Sequence, residues 1–282
     1  MIRVGFRWLE RGSCRHPQVM TIKGGSLCPV DFPALVGVIE HPSRGTFLFD
    51  TGYDPAFIKA TEPFPERLYR WTTPVEIGAG EQWQAWLARH AIDESQLAGL
   101  IVSHFHGDHV AGAARLAQLP MYCARAGLDA LRSGSRFARV RHGLLAALVP
   151  QAMDAQARFF EDAAERPLPS AFAPFTHGRD LLGDGSLLAV ELPGHCAGHW
   201  GLAFVTKDGQ PVLLCGDAVW SGAAIAQNRP PPRVTTALMG DTARYRATLA
   251  QLHHAHCHNS ELAILPSHCP ASAARLRGSD AG

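Results

Sequence analysis

The segment 103–109, SHFHGDH, constrains the fold of this chain more than any other feature of the sequence. Its four metal-capable side chains fall within six positions: His104, His106, Asp108 and His109. In extended backbone, residues two positions apart point to the same side, so the first two histidines share a face. The glycine after them permits a bend, and the aspartate and the last histidine then open a helix. We therefore predict that one loop, following a buried strand at 98–103, supplies ligands to two adjacent metal positions.

Three more ligand types stand in matching contexts. Each follows an apolar run through a small or turn residue: His195 after 187–192, Asp217 after 211–215 and His268 after 262–266. Ligands at strand ends can meet at one edge of a sheet, where rigid elements hold them. Seven nitrogen and oxygen ligands exceed the four that one zinc ion usually takes. The pattern therefore favours two metal ions, and Asp217 is the natural bridge because a carboxylate has two oxygens.

Apolar runs and helical spacing alternate along the chain. The predicted strands are 1–9, 34–40, 46–50, 98–103, 121–123, 187–192, 201–206, 211–215 and 262–266. The predicted helices are 80–92, 108–118, 124–132, 137–166 and 240–256, with Asp241 as N-cap of the last. This order indicates an α/β protein in which helices flank sheet layers. We predict a single domain over 1–282, with a helical insertion around 125–175.

Composition excludes several classes of protein. Hydrophobic residues make up 46% and charged residues 18% of 282, which is typical of a soluble globular chain. A formal net charge of +1 gives no reason to expect nucleic acid or an anionic membrane as partner. The seven cysteines form no C-x-x-C pair, so neither a disulfide framework nor a thiolate zinc site is indicated. No signal peptide or membrane span is predicted, and the expected compartment is the cytoplasm.

In these motifs the chain resembles the metallo-β-lactamase-fold superfamily. The matching stretches are Leu48–Gly52 (LFDTG), Val102–His109, Pro193–His199 (PGHCAGH), Gly216–Asp217 and His268, in superfamily order over about 220 residues. The resemblance implies a four-layer αββα sandwich. It implies one metal ion held by His104, His106 and His195, a second held by Asp108, His109 and His268, and Asp217 bridging them. It also implies that Asp50 orients a histidine ligand and that His199 supports the site from outside the ligand set.

Within the superfamily the chain is most similar to the N-acyl-homoserine-lactone lactonase-like group. That similarity implies a hydrolase in which a hydroxide shared by two metals, most simply zinc, attacks the carbonyl of an ester or lactone. Asp108 would pass a proton to the leaving alkoxide. Those lactonases carry a tyrosine three residues after the bridging aspartate, whereas this chain has Trp220, whose indole offers only an N–H donor. Trp220 is thus a candidate for the substrate pocket.

Other readings stay open at this point. Imidazole and carboxylate ligands also accept iron, manganese or cobalt. The same metal pair could cleave a phosphodiester, or a thioester as in the glyoxalase II type, where Arg275 and Arg277 would supply basic residues near the C-terminus. A non-catalytic metal-binding protein is the alternative from another class. The expected partner is a small-molecule substrate, and the expected assembly is a monomer or a homodimer.

Two further sets of residues are given structural roles. The histidines His253, His254, His256 and His258 are expected at the solvated end of a helix. The apolar residues Phe64, Leu68, Tyr69, Trp71, Phe137 and Phe159 could line a pocket or a dimer surface, but we predict that they pack in the core.

Overall fold

The structure is a computed structural model that describes residues 1–273. The strands are β1 (Arg3–Pro17), β2 (Pro29–His41), β3 (Gly45–Phe49), β4 (Val75–Glu76), β5 (Leu97–Ile101), β6 (Met121–Cys123), β7 (Ala157–Phe159), β8 (Glu165–Pro167), β9 (His177–Asp180), β10 (Leu188–Glu191), β11 (Trp200–Thr206), β12 (Pro211–Gly216) and β13 (Ala263–Pro266). The α-helices are α1 (Pro55–Ala60), α2 (Arg67–Thr72), α3 (Trp83–Arg89), α4 (Gly107–Val110), α5 (Arg125–Arg132), α6 (Arg136–Arg141), α7 (Gly222–Ala226), α8 (Arg233–Met239) and α9 (Thr242–His258). Within residues 1–273, none of the helices combines the length and apolarity that crossing a membrane requires.

The strands fall into two half-sheets. The first half-sheet has the order β7-β6-β5-β3-β2-β1, with β4 beside β1, and the second runs from β11 through β10 and β9 to β8. On its other side β11 pairs with β12, which pairs with β13. A short parallel pairing between β1 and β11, over Arg3 and Val4, joins the half-sheets into one hydrogen-bonded system.

Three hydrophobic cores separate four layers, because side chains alternate between the two faces of each strand. On β2, Leu35 and Ile39 pack into a central core shared by both half-sheets. Val36, between them, packs into an outer core with α1 and α3. On β12, Leu214 packs into the central core and Leu213 packs against α9 in the second outer core. The predicted αββα sandwich of mixed α/β class is therefore the observed architecture.

Parallel pairing brings functional segments to one edge of the sandwich. Strands β3 and β5 are parallel, so Asp50 and the loop at 102–109 leave adjacent strands on the same side. Strands β12 and β13 are also parallel, which places Asp217 beside His268. His195 follows β10 in the same half-sheet as β12. The edge therefore collects residues that are up to 218 positions apart, from 50 to 268.

The inserted segment is less helical than the sequence predicts. Helices α5 and α6 lie where helices were predicted, but 142–166 consists mainly of 3-10 turns and two short strands. Strand β7 pairs in parallel with β6 and extends the first half-sheet. Pro150 precedes the turn at 151–156, and proline, which cannot donate a backbone hydrogen bond, favours such breaks.

The prediction that the apolar residues of 64–71 and 137 pack in the core is wrong for three of them. Phe64, Trp71 and Phe137 have exposed fractions of 58%, 65% and 57%. The rings of Phe64 and Phe137 contact each other edge-on, with centroids 5.4 Å apart. The ion pair between Arg136 and Glu66 holds the same two segments together. The contacts of Phe64 with Phe137 and of Glu66 with Arg136 thus join α6 to the segment before α2 at the surface.

Candidate metal centre

The seven predicted ligands lie together at this edge. Within it, three groups of side chains bring their ligand atoms within 4.8 Å of one another. The first group is His104, His106 and His195 with Cys196, and the second is Asp108, His109 and His268. The third, His104, His109 and Asp217, connects the other two. In the first group the three imidazole centroids are 4.5, 4.7 and 4.9 Å apart. All seven predicted ligands are buried.

Asp217 lies between the two groups. Its Oδ1 is 3.3 Å from His268 Nε2 and 3.5 Å from His109 Nε2. Its Oδ2 is 3.5 Å from His195 Nε2. One oxygen therefore faces each group, which is the arrangement that a bridging carboxylate requires.

Asp50 and Ser103 organise the imidazoles from behind. The Oδ2 atom of Asp50 lies 2.7 Å from His109 Nδ1 and accepts a hydrogen bond from Ser103 Oγ. Ser103 Oγ also lies 3.0 Å from His104 Nδ1. These contacts direct the Nε2 atoms of both imidazoles toward the ligand cluster. A carboxylate–histidine pair of this kind fixes the ring orientation and raises the basicity of the ligand.

Backbone carbonyls fix two more imidazoles. His268 Nδ1 lies 2.7 Å from the carbonyl of Pro33, which orients its Nε2 toward the centre. His199 Nδ1 lies 2.9 Å from the carbonyl of Leu192, and its Nε2 accepts a hydrogen bond from the backbone N–H of Asp217. His199 therefore positions the Asp217 backbone. Gly216, at φ +53°, passes so close to this ring that a Cβ would lie 2.8 Å from Nε2.

The imidazoles of the first group are neutral in the metal-free protein. Burial, aided by the neighbouring imidazoles, holds the pKa of His104 and that of His195 well below the usual range. Burial also lowers the pKa of His106 to about 4, against the opposing effect of the Asp108 and Asp217 carboxylates. Neutral imidazoles can coordinate a metal without first losing a proton.

In the second group the pKa of the histidine His109 is raised instead of lowered. Burial lowers the pKa of His109, but the surrounding carboxylates of Asp108, Asp50 and Asp217 outweigh it and raise that pKa to about 10. Burial would raise the pKa of Asp217, but the facing His268 and His109 hold it well below its ordinary value. Without a cation, protonated imidazoles thus neutralise these carboxylates.

The cluster contains buried polar atoms that have no hydrogen-bond partner: His104 Nε2, His109 Nε2 and Asp217 Oδ1. Each belongs to a predicted ligand. A buried polar atom without a partner costs free energy, and a cluster of such atoms directed at one another is what a metal-binding site offers to its ion. The donor set of five imidazoles and two carboxylates fits divalent cations such as zinc.

Two residues of the site were not among the predicted ones. Ser103 contacts Asp50, His104 and His109. Cys196 places its Sγ in the first group, although burial raises the pKa of its thiol well above the usual value. Both residues adjoin a predicted histidine ligand in sequence, and that adjacency was the available signal.

A cavity of about 590 Å³ opens onto the cluster. Its floor includes His106, Asp108, Asp217 and His268. Its walls combine apolar and aromatic residues with polar and basic ones. The apolar and aromatic residues include Met20, Phe32, Tyr53, Leu68, Tyr69, Phe137, Val140 and Trp220, and the basic ones are His16, Arg141 and His142. Trp220 lines the cavity, and its Nε1 donates a hydrogen bond to Asp217 Oδ2 over 2.9 Å.

The histidine-rich end of α9 is separate from this set. His254, His256 and His258 are exposed, and His253 is half-buried, as the sequence predicts for a solvated helix end. Among residues 1–273, none of the groups of three metal-capable side chains includes a histidine of α9.

Comparisons with known proteins agree on the fold. The family model described as "Metallo-beta-lactamase superfamily" matches residues 29–253. None of the curated proteins matches the sequence significantly.

Three of the similar solved structures illustrate the likeness. A B. thuringiensis AiiA mutant with N-decanoyl-L-homoserine at its active site is 16% identical, with a TM-score of 0.70 over 98% of this chain and 96% of that one. A probable metal-dependent hydrolase from Staphylococcus aureus is 12% identical, with a TM-score of 0.67 over 95% and 91%. AidC, a dizinc quorum-quenching lactonase, is 13% identical, with a TM-score of 0.62 over 96% and 92%. At such identities the likeness establishes the fold alone.

Proposed function

Because the chain belongs to the metallo-beta-lactamase superfamily, we propose that it is a metal-dependent hydrolase that cleaves carboxylic esters, with lactones as the preferred class. The proposed cofactor is a pair of divalent cations, most simply zinc. His104, His106 and His195 would hold one cation, Asp108, His109 and His268 would hold the other, and Asp217 would bridge them.

The observation that carries the proposal is the position of this ligand cluster at the floor of an apolar cavity. Bound divalent cations polarise a carbonyl oxygen and make water acidic enough to lose a proton near neutral pH. The apolar lining excludes competing water and strengthens the electrostatic interactions at the reacting carbonyl.

Asp108 is the proposed group for proton transfer. Its side chain reaches the cavity floor, and its Oδ2 lies 2.9 Å from His268 Nε2. Burial raises the pKa of Asp108, but His109 and His268 outweigh burial and lower that pKa to about 2. In the metal-free protein Asp108 is therefore ionised. Its place on the cavity floor, and not this low pKa, is the reason to propose that it would receive the proton of the attacking water and pass it to the leaving alkoxide.

The lining favours an uncharged, apolar substrate. A cavity of this size accommodates a small molecule of some tens of non-hydrogen atoms, and its aromatic walls suit an acyl chain. The similar solved structures bound to N-decanoyl-L-homoserine and to an N-hexanoyl-L-homoserine product agree with this substrate class. A phosphodiester stays the alternative that Arg141 on the cavity wall could serve, and the assay below includes one.

The test is hydrolysis by the zinc-loaded protein of four substrates: an N-acyl homoserine lactone, a p-nitrophenyl ester, an S-acyl thioester and bis-p-nitrophenyl phosphate. We expect the lactone to give the highest kcat/KM and the phosphodiester the lowest. Faster phosphodiester or thioester cleavage would replace this proposal with one of the alternatives, and no turnover with any substrate would favour the non-catalytic one. Arg275 and Arg277, relevant to the thioesterase alternative, lie outside the described residues.

A further inference from the structure

Trp220 lines the cavity and also donates a hydrogen bond to Asp217, one of the predicted metal ligands. Its indole Nε1 donates to Asp217 Oδ2 over 2.9 Å, three residues back along the chain. Both residues are buried, with exposed fractions of 8% and 4%. In such surroundings a hydrogen bond to a carboxylate is short, directional and stronger than one between neutral groups.

This contact acts on the carboxylate that faces both ligand groups. Asp217 Oδ1 faces the imidazoles of His268 and His109 at 3.3 and 3.5 Å, whereas Oδ2 accepts the indole hydrogen bond, so the indole fixes the Oδ2 end of the carboxylate. The indole is itself held in place. Its ring lies perpendicular to that of His195, with centroids 5.5 Å apart, and packs against Tyr245 at 6.3 Å.

The same contact decides what position 220 offers to a substrate. An indole has one hydrogen-bond donor and no acceptor. Because that donor is engaged by Asp217, Trp220 presents the cavity with an aromatic surface and no available polar hydrogen.

We propose that Trp220 is a positioning residue for the metal pair, whose N–H keeps Asp217 Oδ2 turned toward the first ligand group so that the carboxylate can bridge. The inference rests on the proposed function only in requiring that divalent cations bind at this cluster. It does not depend on which substrate is cleaved.

Trp220→Phe tests the proposal, since it removes the N–H and keeps an aromatic ring. Trp8→Phe is the matched control, because Trp8 is buried in the central core and its Nε1 has no hydrogen-bond partner. Zinc affinity is measured by competition with a chromophoric chelator. Loss of a partner that orients a ligand typically weakens metal binding roughly 10–100-fold. We expect a decrease of that size for Trp220→Phe and none for Trp8→Phe.

A second measurement reports on ligand geometry instead of affinity. The visible absorption spectrum of the cobalt(II)-loaded protein depends on how the carboxylate and imidazoles are arranged. It should change in Trp220→Phe and match the parent in Trp8→Phe. Should Trp220→Phe not fold, the ¹⁵N-indole resonance of Trp220 in the unaltered protein serves instead. It should shift on zinc addition, while that of Trp8 stays in place.

A folded Trp220→Phe with parental zinc affinity and an unchanged cobalt spectrum overturns the proposal. So does loss of hydrolysis without change in either readout, because that pattern means a substrate contact. Weakened zinc binding in a protein that hydrolyses none of the four substrates supports the positioning role and removes the hydrolase proposal, so the two failures are distinguishable.

Discussion

Asp50 controls the centre through one histidine that it contacts directly. Its backbone adopts φ +61°, in the left-handed region, and its carboxylate reaches His109 Nδ1 at 2.7 Å. Few side chains could replace it, since the site requires a short acceptor at an unfavourable backbone conformation. The sequence signal for this role was the LFDTG stretch and its resemblance to the superfamily.

The first prediction at this scale concerns Asp50→Asn, which removes the charge and keeps the shape. We expect zinc affinity to fall roughly 10–100-fold, because His109 loses the carboxylate that orients it and makes it a stronger ligand. Chelator competition measures the change. The matched control is Asp54→Asn, at a buried carboxylate paired with Arg11, which should lower stability and leave zinc affinity unchanged.

The second prediction concerns His106, which belongs to the loop at 104–109 and lies on the cavity floor beside His195. Replacing His106 with Ala should abolish metal-dependent turnover while the chain stays folded, because one ligand is lost from an edge position and the three cores are untouched. Circular dichroism and zinc content are measured beside activity, with exposed His256→Ala as control. A fully active, metal-loaded His106→Ala would contradict the ligand assignment.

Side chains were easier to predict than the groups that orient them. The spacing of His104, His106, Asp108 and His109 is visible in the sequence because metal coordination selects few residue types. The carbonyls of Pro33 and Leu192 also orient imidazoles, but a backbone carbonyl is present at every residue and leaves no signal. Such contacts become known only when the tertiary structure brings distant segments together.

At the scale of elements, the inserted segment reaches the ligands through the turn after α6. Residues His106 and Leu144 form an isolated β-bridge. Gly143 lies against the imidazole of His106 at φ +69°, and a Cβ there would be 2.9 Å from its Cδ2. The insertion is thus one wall of the centre as well as a cover of the cavity.

Gly143→Ala should therefore displace His106 and weaken zinc binding. Gly134 offers a matched control, because it has a similar φ of +74° and its Cβ would meet only Ala138, at 3.6 Å. Both substitutions place alanine in the left-handed region, which costs about 1–2 kcal/mol of stability. Thermal unfolding should report a loss for both variants, and a larger one for Gly143→Ala because its Cβ also meets the His106 ring. Equal zinc affinity in both would show that the turn does not position His106.

Strand β12 was predicted within one residue of its observed bounds, and parts of β1 and β2 were predicted, although β1 continues to Pro17 and β2 begins at Pro29. The segment 142–166 was not, because its Ala- and Leu-rich composition favours helix while its conformation follows from packing against β6 and the ligand loop. The prediction that Phe64, Trp71 and Phe137 pack in the core failed for a related reason. Hydrophobicity alone does not distinguish core residues from exposed ones.

At the scale of the whole molecule, the charge balance of the metal-free centre makes stability depend on pH. His109 has a pKa raised to about 10, above the ordinary value of 6.5. A group whose pKa is raised on folding stabilises the protein fully below its unfolded pKa and loses that contribution as pH rises through the folded value. The relevant window is therefore between pH 6.5 and about pH 10.

We expect the melting temperature of chelator-treated protein to fall across this window more steeply than that of the zinc-loaded protein, in which His109 must be deprotonated. Differential scanning calorimetry at pH 7 and pH 10 measures both slopes. Chelator-treated His109→Gln provides the control for other groups that titrate near pH 10, and it should lose less stability than the parent. Identical slopes for that variant and the parent would contradict the expectation.

The single-domain organisation over 1–282 stays a prediction, whereas the layered fold follows from the three cores. The ligands draw on both half-sheets: the loop at 104–109 follows β5 of the first, and His195, Asp217 and His268 follow strands of the second. Beyond this edge, the half-sheets are hydrogen-bonded through the short pairing of β1 with β11.

Because its ligands come from both half-sheets, the centre would act as a cross-link between them that is present when ions are bound and absent when they are removed. The proposed ions would bind only after the two half-sheets have docked, and we expect them to stabilise contacts that form after the folding transition state. Stripping them with a chelator should therefore speed unfolding by at least tenfold and leave the refolding rate nearly unchanged. Stopped-flow jumps in denaturant, with and without zinc, measure the two rates. Refolding that instead slows on metal removal would mean that the ions help to dock the sheets.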